Sequence, residues 1–87
     1  MKRMSDYLII SRSLTYAQRT ERALVSAGFR AAVIRTPEER LREGCGYSVK
    51  LMRARISDAL GVLYSKGLAP KRVFVFDGGR VGEEVRL

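Results

Sequence analysis

The order in which short apolar runs alternate with helical patterns limits most strongly how this chain can fold. Apolar runs of the kind found in strands occupy residues 6–11, 29–35, 47–52 and 72–76. Helical spacing of small and apolar residues occupies 14–27 and 57–67, with Ser13 as a predicted N-cap and Gly28 just past the first helix end. The chain therefore reads strand, helix, strand, and then the same order again.

A short helical turn is predicted between the two halves, so the full order is βαββαβ. Such a split repeat packs two helices on one face of a four-stranded antiparallel sheet, which is the ferredoxin-like arrangement. We predict an α+β fold of this type. A small parallel α/β sheet is the alternative that the same element order allows.

The length of 87 residues predicts a single domain, 1–87, because a second hydrophobic core would not fit. Residues 1–5 and 81–87 are expected to be flexible, the latter as a frayed hairpin partner of the last strand. No apolar run approaches the roughly 18 residues that a membrane span needs. Since no signal peptide is visible either, we expect a cytoplasmic protein without membrane contact.

The chain contains one cysteine and no histidine. A lone cysteine cannot form an internal disulfide or, by itself, a zinc site, so no metal and no cofactor are predicted. The missing histidine excludes Ser-His and Cys-His catalysis. This composition favours a carrier or binding protein over an autonomous enzyme.

The formal net charge is +8, and 13 of the 17 basic residues are arginine. The guanidinium fork favours phosphates, carboxylates and other oxyanions. An anionic partner is therefore one interpretation of the charge. The other is a general preference for arginine, as in proteins from GC-rich genomes.

The most specific local signal lies between the second and third strands. Thr36, Pro37 and Glu39 match a capping box, with threonine at N-cap, proline at N1 and glutamate at N3. We predict a short helical turn over residues 37–43, closed by Gly44. The single cysteine, Cys45, follows directly.

Cys45 lies between Gly44 and Gly46, which indicates a tight and approachable loop. It is either a reactive thiol that these glycines present or an inert small residue in a turn, and the residues leave the two readings evenly balanced. A reactive thiol needs help to ionise. The turn that ends before Cys45 has the wrong dipole for this, so Arg35 and Arg42 are the candidate cations, with backbone N–H groups of the loop as a further source.

The segment VIRTPEERLREGCGYSVKL, residues 33–51, resembles the defining region of a family of small uncharacterised domains, the selenium/sulfur carrier-like proteins. The shared elements are Thr36-Pro37, Cys45-Gly46 and the strand Tyr47-Ser48-Val49. The opening YLIISRSLTYAQRTERALVSAGFRAAVI matches the family's strand, glycine-ended helix and second strand. The likeness covers about residues 7–76, and the arginine-rich insertion before the cysteine and the basic stretch 50–55 depart from it.

The resemblance implies that Cys45 carries sulfur or selenium as a persulfide or selenosulfide. Gly44 and Gly46 would then present the thiol. The implied partners are a donor protein and an acceptor protein.

Two alternatives come from other classes of function. The first is a non-catalytic basic module that binds RNA or another polyanion, with Tyr7, Tyr47, Phe74 and Phe76 as strand aromatics. The second is a small regulatory or interaction subunit that forms a homodimer through the edge at 81–87.

Overall fold

The computed structural model describes residues 4–87. Within them it contains five strands, two α-helices and a 3₁₀ segment that connects the second and third strands. Ser13 caps the first helix, since its Oγ accepts a hydrogen bond from the Tyr16 N–H at 3.0 Å. Gly28, with φ of 95°, follows the end of that helix, as predicted. In chain order the elements are β1 (Ser5–Ile10), α1 (Leu14–Ser26), β2 (Arg30–Arg35), the 3₁₀ segment (Glu38–Glu43), β3 (Tyr47–Ala54), α2 (Ile56–Ser65), β4 (Arg72–Asp77) and β5 (Arg80–Val85).

The strands form one sheet in the order β2-β3-β1-β4-β5, and every neighbouring pair is antiparallel. The predicted α+β class is thus confirmed, whereas the parallel alternative was wrong. The predicted number of four strands was also wrong. Gly78 and Gly79 adopt φ of 54° and 81°, the two positive values that a tight two-residue hairpin turn needs. This turn folds the tail back onto β4, so Arg80–Val85 becomes a fifth strand. At the other terminus, residues 1–3 of the segment expected to be flexible lie outside the described part.

Both helices contribute to the core on one face of the sheet, which we call the helix face. Leu24 of α1 and Leu63 of α2 are completely buried there. They pack with alternate residues of the strands, because residues two apart on a strand share a face. The strand residues of this core include Tyr7, Ile9, Val49, Leu51 and Val73.

The opposite face of the sheet, the open face, has a smaller apolar cluster, and no α-helix within residues 4–87 packs on it. Its buried members are Leu8, Ile10, Phe74 and Phe76. The Arg40 guanidinium of the 3₁₀ segment lies 4.3 Å from the centre of the Phe74 ring and so covers part of this cluster.

One end of the sheet brings together the loops on which the functional site depends. β1 and β2 end there, and β3 and β4 begin there, since neighbouring strands are antiparallel. The β1–α1 connection and the 3₁₀ segment meet at this end. No helix among residues 4–87 is long and apolar enough to cross a membrane.

Candidate functional site

Cys45 lies in a three-residue connection, 44–46, between the 3₁₀ segment and β3. Its side chain is exposed and forms no disulfide. The Sγ atom lies 3.7 Å from the backbone oxygen of Tyr47, a weak contact. The thiol is therefore open to a reagent or a partner that approaches from solvent.

The backbone of this connection is fixed against the loop that follows β1. The Cys45 N–H donates a hydrogen bond to the Ser11 carbonyl oxygen at 3.2 Å. A Cβ atom on Gly44 would lie only 2.4 Å from the same oxygen and 3.0 Å from an Ile10 methyl group. Gly44 is thus required for close approach of two backbone segments, and the connection is held more tightly than the flanking glycines indicated.

Gly46 serves a different purpose, because its φ of 91° lies in the left-handed region that favours glycine. Its carbonyl oxygen accepts a hydrogen bond from the Thr36 N–H at 2.9 Å. The Thr36 side chain is buried, and its Oγ1 shares a hydrogen bond of 2.7 Å with Ser48 Oγ. Cys45 is therefore held between two anchors, Ser11 on one side and Thr36 on the other.

The capping box predicted for the turn was wrong. The 3₁₀ segment begins at Glu38 with Pro37 in the cap position, and no side chain caps it. Thr36 lies against β3 instead, where burial requires its hydroxyl to find a partner, and Ser48 is the partner within reach. The sequence pattern gave the position of the turn and misassigned the hydrogen bond.

The two predicted cations, Arg35 and Arg42, are both exposed. Arg35 ends β2, and its guanidinium is 5.9 Å from the centre of the Tyr47 ring. Arg42 lies in the last turn of the 3₁₀ segment. Within residues 4–87 neither side chain forms a hydrogen bond with Cys45 Sγ, whose single recorded partner is the Tyr47 carbonyl.

A group of four charged side chains connects the 3₁₀ segment to β4 and β5. Glu43 forms ion pairs with Arg72 and, at 2.8 Å, with Arg40. Arg72 also makes two hydrogen bonds to Glu84, at 2.7 and 3.0 Å. The hydrogen bond with Glu84 raises the pKa of Arg72, and the same hydrogen bond lowers the pKa of Glu84 below its ordinary value. These contacts hold the segment that leads into Cys45.

This arrangement suits nucleophilic chemistry of a single thiol. A mobile loop would have to be ordered before each reaction, whereas this backbone is already fixed. Among residues 4–87 no three histidine, cysteine, aspartate or glutamate side chains are grouped as metal ligands. In this connection the exposed Cys45 sulfur is the group that can act as a nucleophile.

Three residues that position Cys45 were missed by sequence reasoning. Ser11 was assigned only as a strand end, and Ser48 and Arg72 only as strand residues. Each acts through a partner that is distant in the chain, namely Cys45, Thr36 and Glu43. The spacing of polar residues gives no signal for such pairs.

The strand aromatics of the RNA-binding alternative are mostly covered. Tyr7 belongs to the helix-face core, and Phe74 and Phe76 are buried in the open-face cluster. Tyr47 is half-buried beside the Arg35 guanidinium. Base stacking requires a free ring face, which the three buried rings do not offer.

Comparison with known proteins identifies the family. No curated protein and no solved structure matches the chain significantly. The family model described as "Putative Se/S carrier protein-like" matches residues 6–75. The match extends from β1 into β4 and includes the whole Cys45 connection with both of its anchors. Because it covers most of the chain, this protein belongs to the Se/S carrier protein-like family.

Proposed function

We propose that this protein carries a sulfur or selenium atom on Cys45, bound as a persulfide or selenosulfide, and transfers it to an acceptor protein. The observation on which the proposal depends is an exposed thiol on a backbone that is fixed at both sides. Membership of the Se/S carrier protein-like family supports it. A second cysteine in a carrier would compete with the transfer by forming an internal disulfide, and this chain contains only one cysteine.

The loading step is a sulfur transfer without net oxidation. The Cys45 thiolate attacks the terminal sulfur of a donor persulfide, and a new S–S bond forms to Cys45. The S–S bond of the donor breaks, and the donor leaves as a thiolate while the proton stays on the transferred sulfur. Release to an acceptor thiolate is the same step with Cys45 as the leaving group, and a terminal selenium atom would follow the same course.

Arg35 and Arg42 remain the proposed cations beside the thiolate. Both side chains are long and exposed, and the proposal is that they turn toward the charged sulfur. Gly44 and Gly46 have the supporting role of fixing where the thiol is presented. The donor and acceptor proteins, and a cytoplasmic location in which Cys45 stays reduced, belong to the same proposal.

The test is incubation with a small-molecule persulfide donor, followed by intact-protein mass spectrometry. We expect the wild-type chain to gain the mass of one sulfur atom, and Cys45→Ser to gain nothing while keeping its circular dichroism spectrum. A wild-type chain that is folded and does not load would contradict the proposal.

A matched control places the thiol elsewhere on the surface. Ser26 is exposed at the end of α1, so Ser26→Cys combined with Cys45→Ser gives one accessible thiol without the fixed connection. We expect this variant to load several-fold more slowly than wild type, because the local setting of a thiol controls its reactivity. Equal rates would mean that the connection contributes nothing beyond exposure.

We also infer that β1–β4 and the two helices form a ferredoxin-like unit to which β5 is added. The order β2-β3-β1-β4 with antiparallel neighbours supports this inference. In this arrangement β2 and β5 are the edge strands. The β5 edge is then the proposed surface for a homodimer, and analytical ultracentrifugation over a range of concentrations would test it.

A further inference from the structure

A cavity of about 240 Å³ lies next to the Cys45 connection. The end of β1, the start of α1, the end of the 3₁₀ segment and the approach to β4 surround it. Water occupies about 30 Å³ per molecule in the liquid, so the cavity has room for a small ion or functional group. Cys45 does not line it, whereas its neighbour Gly44 does.

One wall of the cavity holds a buried hydroxyl without a partner. Ser11 is only 3% exposed, and its Oγ has no hydrogen-bond partner among the described residues. A buried hydroxyl that stays unpaired lowers the stability of the fold. Such a group is commonly explained by a ligand or water that completes its hydrogen bonding. Ser11 lines the cavity, so a guest there is within reach of this residue.

The charged residues that line the cavity are mostly basic. They are Arg12, Lys71 and Arg72 against the single acid Glu43. Arg72 and Glu43 compensate each other within their ion-pair group. Arg12 and Lys71 form no ion pair within residues 4–87, so their charges remain available.

The beginning of α1 adds to this positive potential. Tyr16, in the first turn, lines the cavity, and that turn contains no acidic residue. The N-terminus of a helix attracts anions through its free N–H groups and its dipole. The Tyr16 N–H is already bonded to Ser13 Oγ, and Leu14 and Thr15 do not line the cavity, so α1 contributes through its dipole and not through a free N–H group.

We propose that this cavity binds the phosphate group of a small molecule, or inorganic phosphate itself. Ser11 Oγ would hydrogen-bond a phosphate oxygen, and Arg12 and Lys71 would neutralise its charge. The site is separate from the thiol and does not depend on sulfur transfer. It shares one wall with the Cys45 connection, since the carbonyl group of Ser11 holds the Cys45 N–H.

The experiment is a phosphate titration of the full chain at constant ionic strength, followed by isothermal calorimetry and by the melting temperature. Constant ionic strength is essential because a chain of net charge +8 attracts any anion weakly. We expect saturable binding, and a melting temperature that rises with phosphate because the ligand binds only the folded state. Parallel arms with inorganic phosphate and with methyl phosphate show whether the cavity takes the free ion or an ester. No saturation in either arm would overturn the proposal.

Substitutions separate a built site from general attraction. Lys71→Gln should weaken phosphate binding by roughly tenfold, the expected loss of one charge-assisted hydrogen bond. Lys66→Gln is the matched control, because Lys66 is exposed at the end of α2 and does not line the cavity. An equal effect of both changes would show diffuse binding and would overturn the proposal.

Ser11→Ala tests the hydroxyl itself. Without phosphate this variant should be as stable as wild type or more stable, because it removes an unpaired buried group. It should bind phosphate roughly threefold to tenfold more weakly. Unchanged phosphate affinity would show that the Ser11 hydroxyl does not bind the phosphate group. Cys45→Ser should bind phosphate as wild type does, so failure of this proposal and failure of the carrier proposal can be told apart.

Discussion

The two faces of the sheet are closed in different ways. On the helix face, α1 and α2 bury a continuous apolar layer that contains Leu24 and Leu63. On the open face, a smaller cluster around Phe74 lies beneath charged side chains. The guanidinium groups of Arg40 and Arg72 lie 4.3 and 5.0 Å from the centre of its ring, and Arg72 is in turn held by Glu84.

This difference separates stability from presentation of the site. Apolar burial is non-directional and stabilises the whole fold in proportion to the area removed from water. Ion pairs at a surface contribute little free energy, yet they fix geometry. We therefore expect the helix face to determine whether the chain folds, and the open-face contacts to determine where the 3₁₀ segment and Cys45 lie.

The largest expected effect is on the helix face. Leu63→Ala removes a completely buried side chain and should lower the free energy of unfolding by about 2–5 kcal/mol. Urea denaturation measures this loss. The control is Leu41→Ala in the 3₁₀ segment, where the side chain is 41% exposed and the expected loss is within about 0.5 kcal/mol. Similar losses for both would break the proposed division between the faces.

An intermediate effect is expected at the Cys45 connection. Gly44→Ala would bring a Cβ atom within 2.4 Å of the Ser11 carbonyl oxygen, so the two loops must separate. Overpacking of this kind costs about 1–3 kcal/mol, and the alkylation rate of Cys45 in the folded protein should change as well.

Gly61 provides the control for this substitution. It lies in α2, and no atom lies within 4 Å of the position that a Cβ would take. Gly61→Ala should therefore raise the free energy of unfolding by about 0.5–1 kcal/mol. If Gly44→Ala unfolded at the same urea concentration as wild type, the close packing against Ser11 would not constrain the connection.

The smallest expected effect is the pH dependence of the open face. The hydrogen bond from Arg72 lowers the pKa of Glu84 in the folded state, so the unfolded chain binds the proton more readily. The contribution of this pair is present above the ordinary value of 4.5 and is lost as pH falls through the lower folded value. Glu84→Gln should therefore make the melting temperature less dependent on pH in this acidic range. The control is Glu83→Gln, because Glu83 is an exposed neighbour that forms no ion pair among residues 4–87, and this variant should keep the wild-type pH dependence. If the melting temperatures of the two variants depended on acidic pH in the same way, the Glu84 pair would not contribute to the pH dependence of stability.

The sequence by itself determined the order of elements, the two helix ends at Ser13 and Gly28, and the loop position of Cys45. These features depend on residues close together in the chain, where spacing, caps and glycines act locally. The tail was expected to be only a frayed hairpin partner of the last strand, because β5 is mostly exposed and has only weak apolar alternation. Its pairing with β4 supplies hydrogen bonds that the pattern of side chains does not reveal.

The tertiary structure alone decided how Cys45 is held. Gly44 was expected only to help present the thiol in a tight loop, and the Ser11 carbonyl makes it a point of close contact. Thr36 looked like a helix cap, and burial against β3 gave its hydroxyl to Ser48. In each case the partner is distant in sequence, and a buried polar group bonds to whatever donor or acceptor the fold brings near it. Local patterns predict where a chain turns, whereas the packing of its strands determines which groups meet at the turn.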